Sequence, residues 1–72
     1  MTKIKKIKIR LNGKIKTVKE NCRLEMLLND LKVPLKKVAI ELNLEILDKK
    51  KINKIKLKNK DEIEIVHFIG GG

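Results

Sequence analysis

From Lys5 to Leu11 the chain alternates, with Ile7, Ile9 and Leu11 on one side and Lys6, Lys8 and Arg10 on the other. Period-two alternation with one apolar side predicts a half-buried strand. Asn12-Gly13 follows, a pair suited to a type I′ turn because both central residues there need positive φ. Lys14 to Val18 then reads as the returning strand of a hairpin. The period next changes to that of a helix, because Leu24, Leu27, Leu28 and Leu31 stand at i, i+3, i+4 and i+7. Asn21 is the expected N-cap, and Glu25 lies near the positive end of the helix dipole. Pro34 is expected to end the helix by Val33, since a residue before proline avoids the α region. A helix this short must be held by packing on a sheet.

Val38, Ala39, Ile40 and Leu42 form a third strand candidate of less regular phase. Asn43-Leu44 reads as a tight turn and Glu45 to Leu47 as a short fourth strand. Asp48 to Asn53 is polar and expected to be a loop or a single helical turn. Asn59-Lys60-Asp61 signals another turn, and Glu62 to Phe68 the last strand, with Ile63 and Ile65 on one face. Strands with one helix between them predict an α+β fold in which the main helix packs on one face of a mixed sheet of four to five strands. The order is that of the ubiquitin-like β-grasp. No repeat, linker or second domain is visible. The expected organisation is one domain over residues 1–69 and a flexible glycine tail over 70–72.

A chain of 72 residues suffices for one domain. A core of that size buries only about 60% of the unfolded surface, which suits a carrier or binding module better than an enzyme with a deep pocket. Hydrophobic residues make up 42% of the chain, too many for a disordered polypeptide. Phe68 is the only aromatic residue, so the core must be aliphatic. The formal charge is +10, almost all from lysines spread along the chain and including the run Lys49-Lys50-Lys51. Scattered charge of this kind is ordinarily solvated surface. Nucleic-acid binding is disfavoured, because stacking aromatics and recognition motifs are missing. Steering toward acidic proteins is the remaining sharper reading. The single cysteine, Cys22, rules out an internal disulfide and suits a reducing compartment. No apolar run reaches the length of a membrane span, and the amino terminus lacks a secretory pattern. A cytoplasmic location is the expectation, with no membrane partner.

The candidate chemistry is concentrated at the carboxyl end, Gly70-Gly71-Gly72. Glycine has no Cβ, so a carbonyl at Gly72 is unhindered and a thin tail could enter a narrow active site. Strand phase puts Val66 and Phe68 on the outward side with Glu62 and Glu64, which makes Val66 and Phe68, with Ile69 beside them, expected partner-docking residues. His67 has no catalytic neighbours in the sequence and reads as a structural or surface residue. Cys22, near the start of the helix, could be a reactive thiol but reads better as a small half-buried residue. No ligand pattern for a metal is present.

Three stretches resemble the bacterial ubiquitin-like sulfur carriers of thiamin biosynthesis, the ThiS family. They are Lys16-Thr17-Val18 leading to the Leu27-Leu28 helix, Val38 to Asn43, and Asp61 to Gly72. The family often has Gly after the Asn of the middle turn and Gly-Asp before the last strand, where this chain has Leu44 and Lys60-Asp61. The resemblance implies a carrier that is not itself an enzyme and binds no cofactor. A ubiquitin-activating-type adenylyltransferase (ThiF-like) would use ATP to adenylate the carboxylate of Gly72, and sulfur from a cysteine desulfurase would convert it to a thiocarboxylate. A thiazole synthase (ThiG-like) would take that sulfur. The molybdopterin-type carriers share the fold and chemistry; the short length and the Val66-His67-Phe68-Ile69 approach to the glycines favour the thiamin branch. The pattern also admits a ubiquitin-like protein modifier, joined to its targets through Gly72, and a non-catalytic binding module with an inert tail.

Overall fold

A computed structural model describes residues 5–68. Lys6–Leu11 forms β1 and Lys14–Lys19 forms β2, joined by a turn in which Asn12 and Gly13 have φ of 49° and 82°. That double positive φ matches the right-handed twist of the paired strands. The helix α1 spans Leu24–Asp30, and a short 3-10 turn covers Leu35–Lys37. Strands β3, Val38–Leu42, and β4, Glu45–Ile46, follow, then a 3-10 segment over Lys49–Lys54 and the last strand β5, Glu62–His67.

The strands form one sheet in the order β2-β1-β5-β3-β4. β5 is central, parallel to β1 and antiparallel to β3, while both hairpins are antiparallel. This is the mixed five-stranded sheet with one main helix expected from the element order.

Apolar residues from every layer meet between sheet and helix: Ile7 and Ile9, Leu24, Leu27 and Leu28, Val38 and Ile40, and Ile63 are all buried. Among the described residues no polar side chain is buried, so the core is aliphatic. Each such side chain is worth about 1.5–3 kcal/mol when fully buried. Ile52 and Leu57 complete this core from the stretch between β4 and β5. The polar-loop reading of Asp48 to Asn53 missed Ile52, the one apolar residue in a run of charged ones.

The helix differs from expectation at both ends. Its N-cap is Arg23, which makes no side-chain cap, and Asn21 instead adopts φ 68° in the preceding turn. The amide of Leu24 is satisfied by the carbonyl of Ile55, and Leu57 N–H donates to Cys22 O, so a long-range pairing replaces the cap. At the other end Lys32 takes φ 56°, its N–H donates to Asn29 O, and Val33 N–H donates to Leu28 O. That is a Schellman closure. It stops the helix at Asp30, before Pro34 can act, and leaves Leu31 outside the buried stripe at 38% exposure.

Candidate functional site

Both turns that flank β5 clamp it. Asn12 N–H donates to Ile63 O at 2.9 Å, and Asn12 Oδ1 accepts from Ile65 N–H at 2.7 Å. On the other side Asn43 Oδ1 accepts from Glu62 N–H at 2.9 Å, and Asn43 N–H donates to Glu62 O at 2.7 Å. Asn43 Nδ2 also donates to Asp61 Oδ1 at 3.1 Å, while Asp61 Oδ2 accepts from Lys58 N–H at 2.7 Å. The strand that leads toward the carboxyl terminus is therefore held along its first half by side chains as well as by the ladders.

Alternation along β5 sorts its residues as the phase predicts. Ile63 is buried and Ile65 half-buried against the core, while Glu62, Glu64 and Val66 are exposed on the open face of the sheet. Val66 is 51% exposed and Phe68 52%. Phe68 N–H donates to Lys37 O at 2.9 Å, extending the β3–β5 pairing one step beyond His67. The Lys49 ammonium sits 5.4 Å from the Phe68 ring centroid, a cation–π geometry.

Register also supplies neighbours that the sequence reading did not single out. Ala39 pairs with Val66, and Ile46 pairs with Glu41, which itself pairs with Glu64. Ile46 is thus an exposed apolar residue on the face that carries Val66. The signal lay in β3, where buried Val38 and Ile40 alternate with Ala39 and Glu41. It becomes legible once β3 is known to pair with β5.

Ile69, Gly70, Gly71 and Gly72, the remaining docking residue and the tail, lie outside the described residues. His67 is exposed. Cys22 is half-buried and its Sγ lies 3.5 Å from Arg23 O. Burial, with the Asp30 carboxylate adding to it, raises the thiol pKa, so the thiolate is disfavoured rather than stabilised. Of the two readings of Cys22, the small half-buried residue is the one that fits. Among the described residues no group of His, Cys, Asp or Glu is placed to hold a metal, and no helix is long and apolar enough to cross a membrane.

Comparison with known proteins agrees with this geometry. The sulfur carrier protein ThiS of Bacillus subtilis is 40% identical over 65 residues, which cover 89% of this chain and 98% of that protein. The crystal structure of a thiamine biosynthesis protein (ThiS) from Geobacter metallireducens superposes with a TM-score of 0.80 at 35% identity, covering 92% of this chain and all of that one. A thiazole synthase of Paramagnetospirillum magneticum is 39% identical over 66 residues, and there the chain spans 20% of the relative's length. The ThiS family matches residues 9–72, from within β1 through the three glycines, and this chain belongs to that family.

Proposed function

We propose that this chain, a sulfur carrier of the ThiS family, delivers sulfur for the thiazole of thiamin through a thiocarboxylate formed at Gly72. The observation that carries this reading is the family match, which runs from within β1 through the central strand β5, clamped by Asn12 and Asn43, to Gly72 in the sequence. A free carboxylate is a poor electrophile. Transfer of AMP from ATP to the Gly72 carboxylate, with release of pyrophosphate, gives the acyl carbon a good leaving group. A persulfide sulfur derived from a cysteine desulfurase then displaces AMP, and cleavage of its S–S bond by a thiol leaves the thiocarboxylate.

The chain's own contribution is presentation. In this reading β5 is held by Asn12 and Asn43, the exposed Val66 and Phe68 at its end serve for docking, with Ile69 next in sequence, and the acyl chemistry is left to the partners. An adenylyltransferase of the ubiquitin-activating type and a thiazole synthase are the partners this requires. Thiazole synthases of Paramagnetospirillum magneticum and Magnetococcus marinus each contain a stretch similar to this chain, which supports a thiazole synthase as the sulfur acceptor. Complementation tests the pathway: the intact gene should restore growth without thiamin to a strain lacking its own carrier, and a Gly72 deletion should not. Growth restored equally by the truncated chain would refute the assignment.

A further inference from the structure

Of the asparagines in the chain, Asn12 alone is followed by glycine. A glycine carries no Cβ beside its amide nitrogen, so that nitrogen can approach the side-chain carbonyl of the preceding residue with little hindrance. Asn12 and Gly13 are both exposed, and a Cβ built on Gly13 would meet nothing within 4 Å, so solvent reaches the turn. The Gly13 N–H makes no backbone hydrogen bond among the described residues. These are the conditions for attack of the Gly13 nitrogen on Asn12 Cγ. Two features of the folded chain oppose it. Asn12 Oδ1 is held by Ile65 N–H at 2.7 Å, and Asn12 N–H is held by Ile63 O at 2.9 Å. The left-handed φ of 49° at Asn12 also differs from the backbone that a five-membered imide imposes. Ring closure therefore requires the Asn12 side chain to leave Ile65.

We propose that Asn12 is a deamidation site gated by its bond to Ile65, and that the iso-aspartyl product releases β5 from the hairpin and so impairs presentation of the tail. The site, its gate and the release of β5 stand on the turn alone; the effect on presentation rests on the carrier reading. In the first step the Gly13 nitrogen gives up its proton to base and bonds to Asn12 Cγ. The Cγ–Nδ2 bond breaks, and ammonia leaves after taking a proton from solvent. Water then opens the cyclic imide in one of two ways. Breaking the bond from nitrogen to Cγ restores the main chain and leaves an aspartate, which keeps an oxygen in place for Ile65. Breaking the bond from nitrogen to the main-chain carbonyl carbon leaves the chain running through Cγ, with a new carboxylate on Cα. That iso-aspartyl form has an extra methylene in the tightest part of the hairpin, and the acceptor for Ile65 is lost from its position. Asn43 is the internal comparison. It too has positive φ, 51°, and its Oδ1 also holds β5, through Glu62 N–H. Leu44 follows it, however, and a side chain there hinders the same attack. The two clamps of β5 therefore differ in chemical lifetime.

The test ages the whole chain at mildly alkaline pH, once folded and once in concentrated urea. Conversion is read by intact mass and located by fragmentation. Iso-aspartate is read by methyl transfer from S-adenosylmethionine with an isoaspartyl methyltransferase, and opening by amide exchange. Asn12 should convert first in both states. Folding should slow it about tenfold or more, by a factor that matches the protection of the Ile65 amide. In the isolated iso-aspartyl chain Ile65 should exchange about fivefold faster or more, while Val66, paired with Ala39 in β3, keeps its rate. Conversion as fast in the folded chain as in urea would overturn the gate. Asn43 reacting as fast as Asn12 in urea would overturn the site. Unchanged Ile65 exchange in the product, or equal loss of protection at Val66, would overturn the local release of β5. Loading at Gly72, with the adenylating enzyme and a persulfide source, should be severalfold slower for the iso-aspartyl chain than for fresh chain. Asn12→Asp, which stands for the other product, should load like fresh chain. Equal loading by the iso-aspartyl chain would overturn the effect on presentation. A fresh chain that is never loaded would sink the carrier reading and leave the site, its gate and the release of β5 standing.

Discussion

The Oδ1 atom of Asn12 accepts the backbone N–H of Ile65 at 2.7 Å, joining residues 53 apart in the sequence. β1 and β5 pair in parallel over only Arg10–Glu62 and Leu11–Ile63, because the chain turns back at Asn12. The Asn12 amide thus stands in for the carbonyl that a longer β1 would have offered. One residue closes the hairpin and also anchors the strand that leads to the tail.

Asn12→Gly keeps the positive φ and removes the acceptor. It should cost about 1 kcal/mol of stability, the usual net worth of such a bond. Faster exchange of the Ile65 amide should accompany the loss. Asn12→Asp, which retains an oxygen at the same place, should recover most of both. An unchanged Ile65 exchange rate in Asn12→Gly would show that the bond does not hold β5.

Leu44 and Lys60 adopt φ of 71° and 75°. These are the two positions at which the family often carries glycine. A side chain in that region costs about 1–2 kcal/mol, whereas glycine gives back about 0.5–1 through the entropy of the unfolded chain. Leu44→Gly and Lys60→Gly should therefore each stabilise by about 0.5–1 kcal/mol in denaturant melts. Leu44 is 81% exposed, so little packing is lost in its case. A destabilised Leu44→Gly would mean that its side chain makes contacts absent from this fold.

The hairpin, the order of elements and the inward phase of β5 were legible because each rests on short-range pattern: Asn12-Gly13, the alternation from Lys5 to Leu11, and Ile63 with Ile65. What stayed hidden depends on partners distant in sequence. The burial of Ile52 and Leu57, and the pairing of Ile55 and Leu57 with Cys22 to Leu24, need the 3-10 segment to be folded against the helix. Lys32 as a helix stop is hidden for another reason, since lysine carries no sequence signal for positive φ. Of the candidate site, Val66 and Phe68 followed from strand phase, whereas Ile46 and Lys49 came beside them only through the β3–β4 register and the ring contact of Phe68.

Phe68→Ala separates docking from folding. A half-exposed ring should cost about 1 kcal/mol or less of stability, against about 3–5 for a buried one. Affinity for the adenylating enzyme should fall about tenfold, as expected when an aromatic anchor is lost. A large drop in melting temperature with unchanged affinity would place Phe68 in the core.

Cys22→Ser should load sulfur like the wild-type chain, since the proposed chemistry runs through Gly72 and needs no thiol on the carrier. Burial raises the thiol pKa in the folded chain, so the folded state holds this proton more tightly than the unfolded state. The resulting stability is fully present below the unfolded thiol's pKa and is lost as pH rises through the folded value. Alkaline melts of wild type and Cys22→Ser should diverge in that window, and Cys22 should alkylate more slowly than a free cysteine. Rapid alkylation at neutral pH would contradict the raised pKa.

Intact mass after incubation with the adenylating enzyme, ATP and a persulfide source tests the central claim most directly. The wild-type chain should gain the mass difference between sulfur and oxygen, localised to Gly72 by fragmentation, and the Gly72 deletion should gain nothing. A wild-type mass that never changes, or a lysine-linked conjugate in place of the sulfur adduct, would contradict the account.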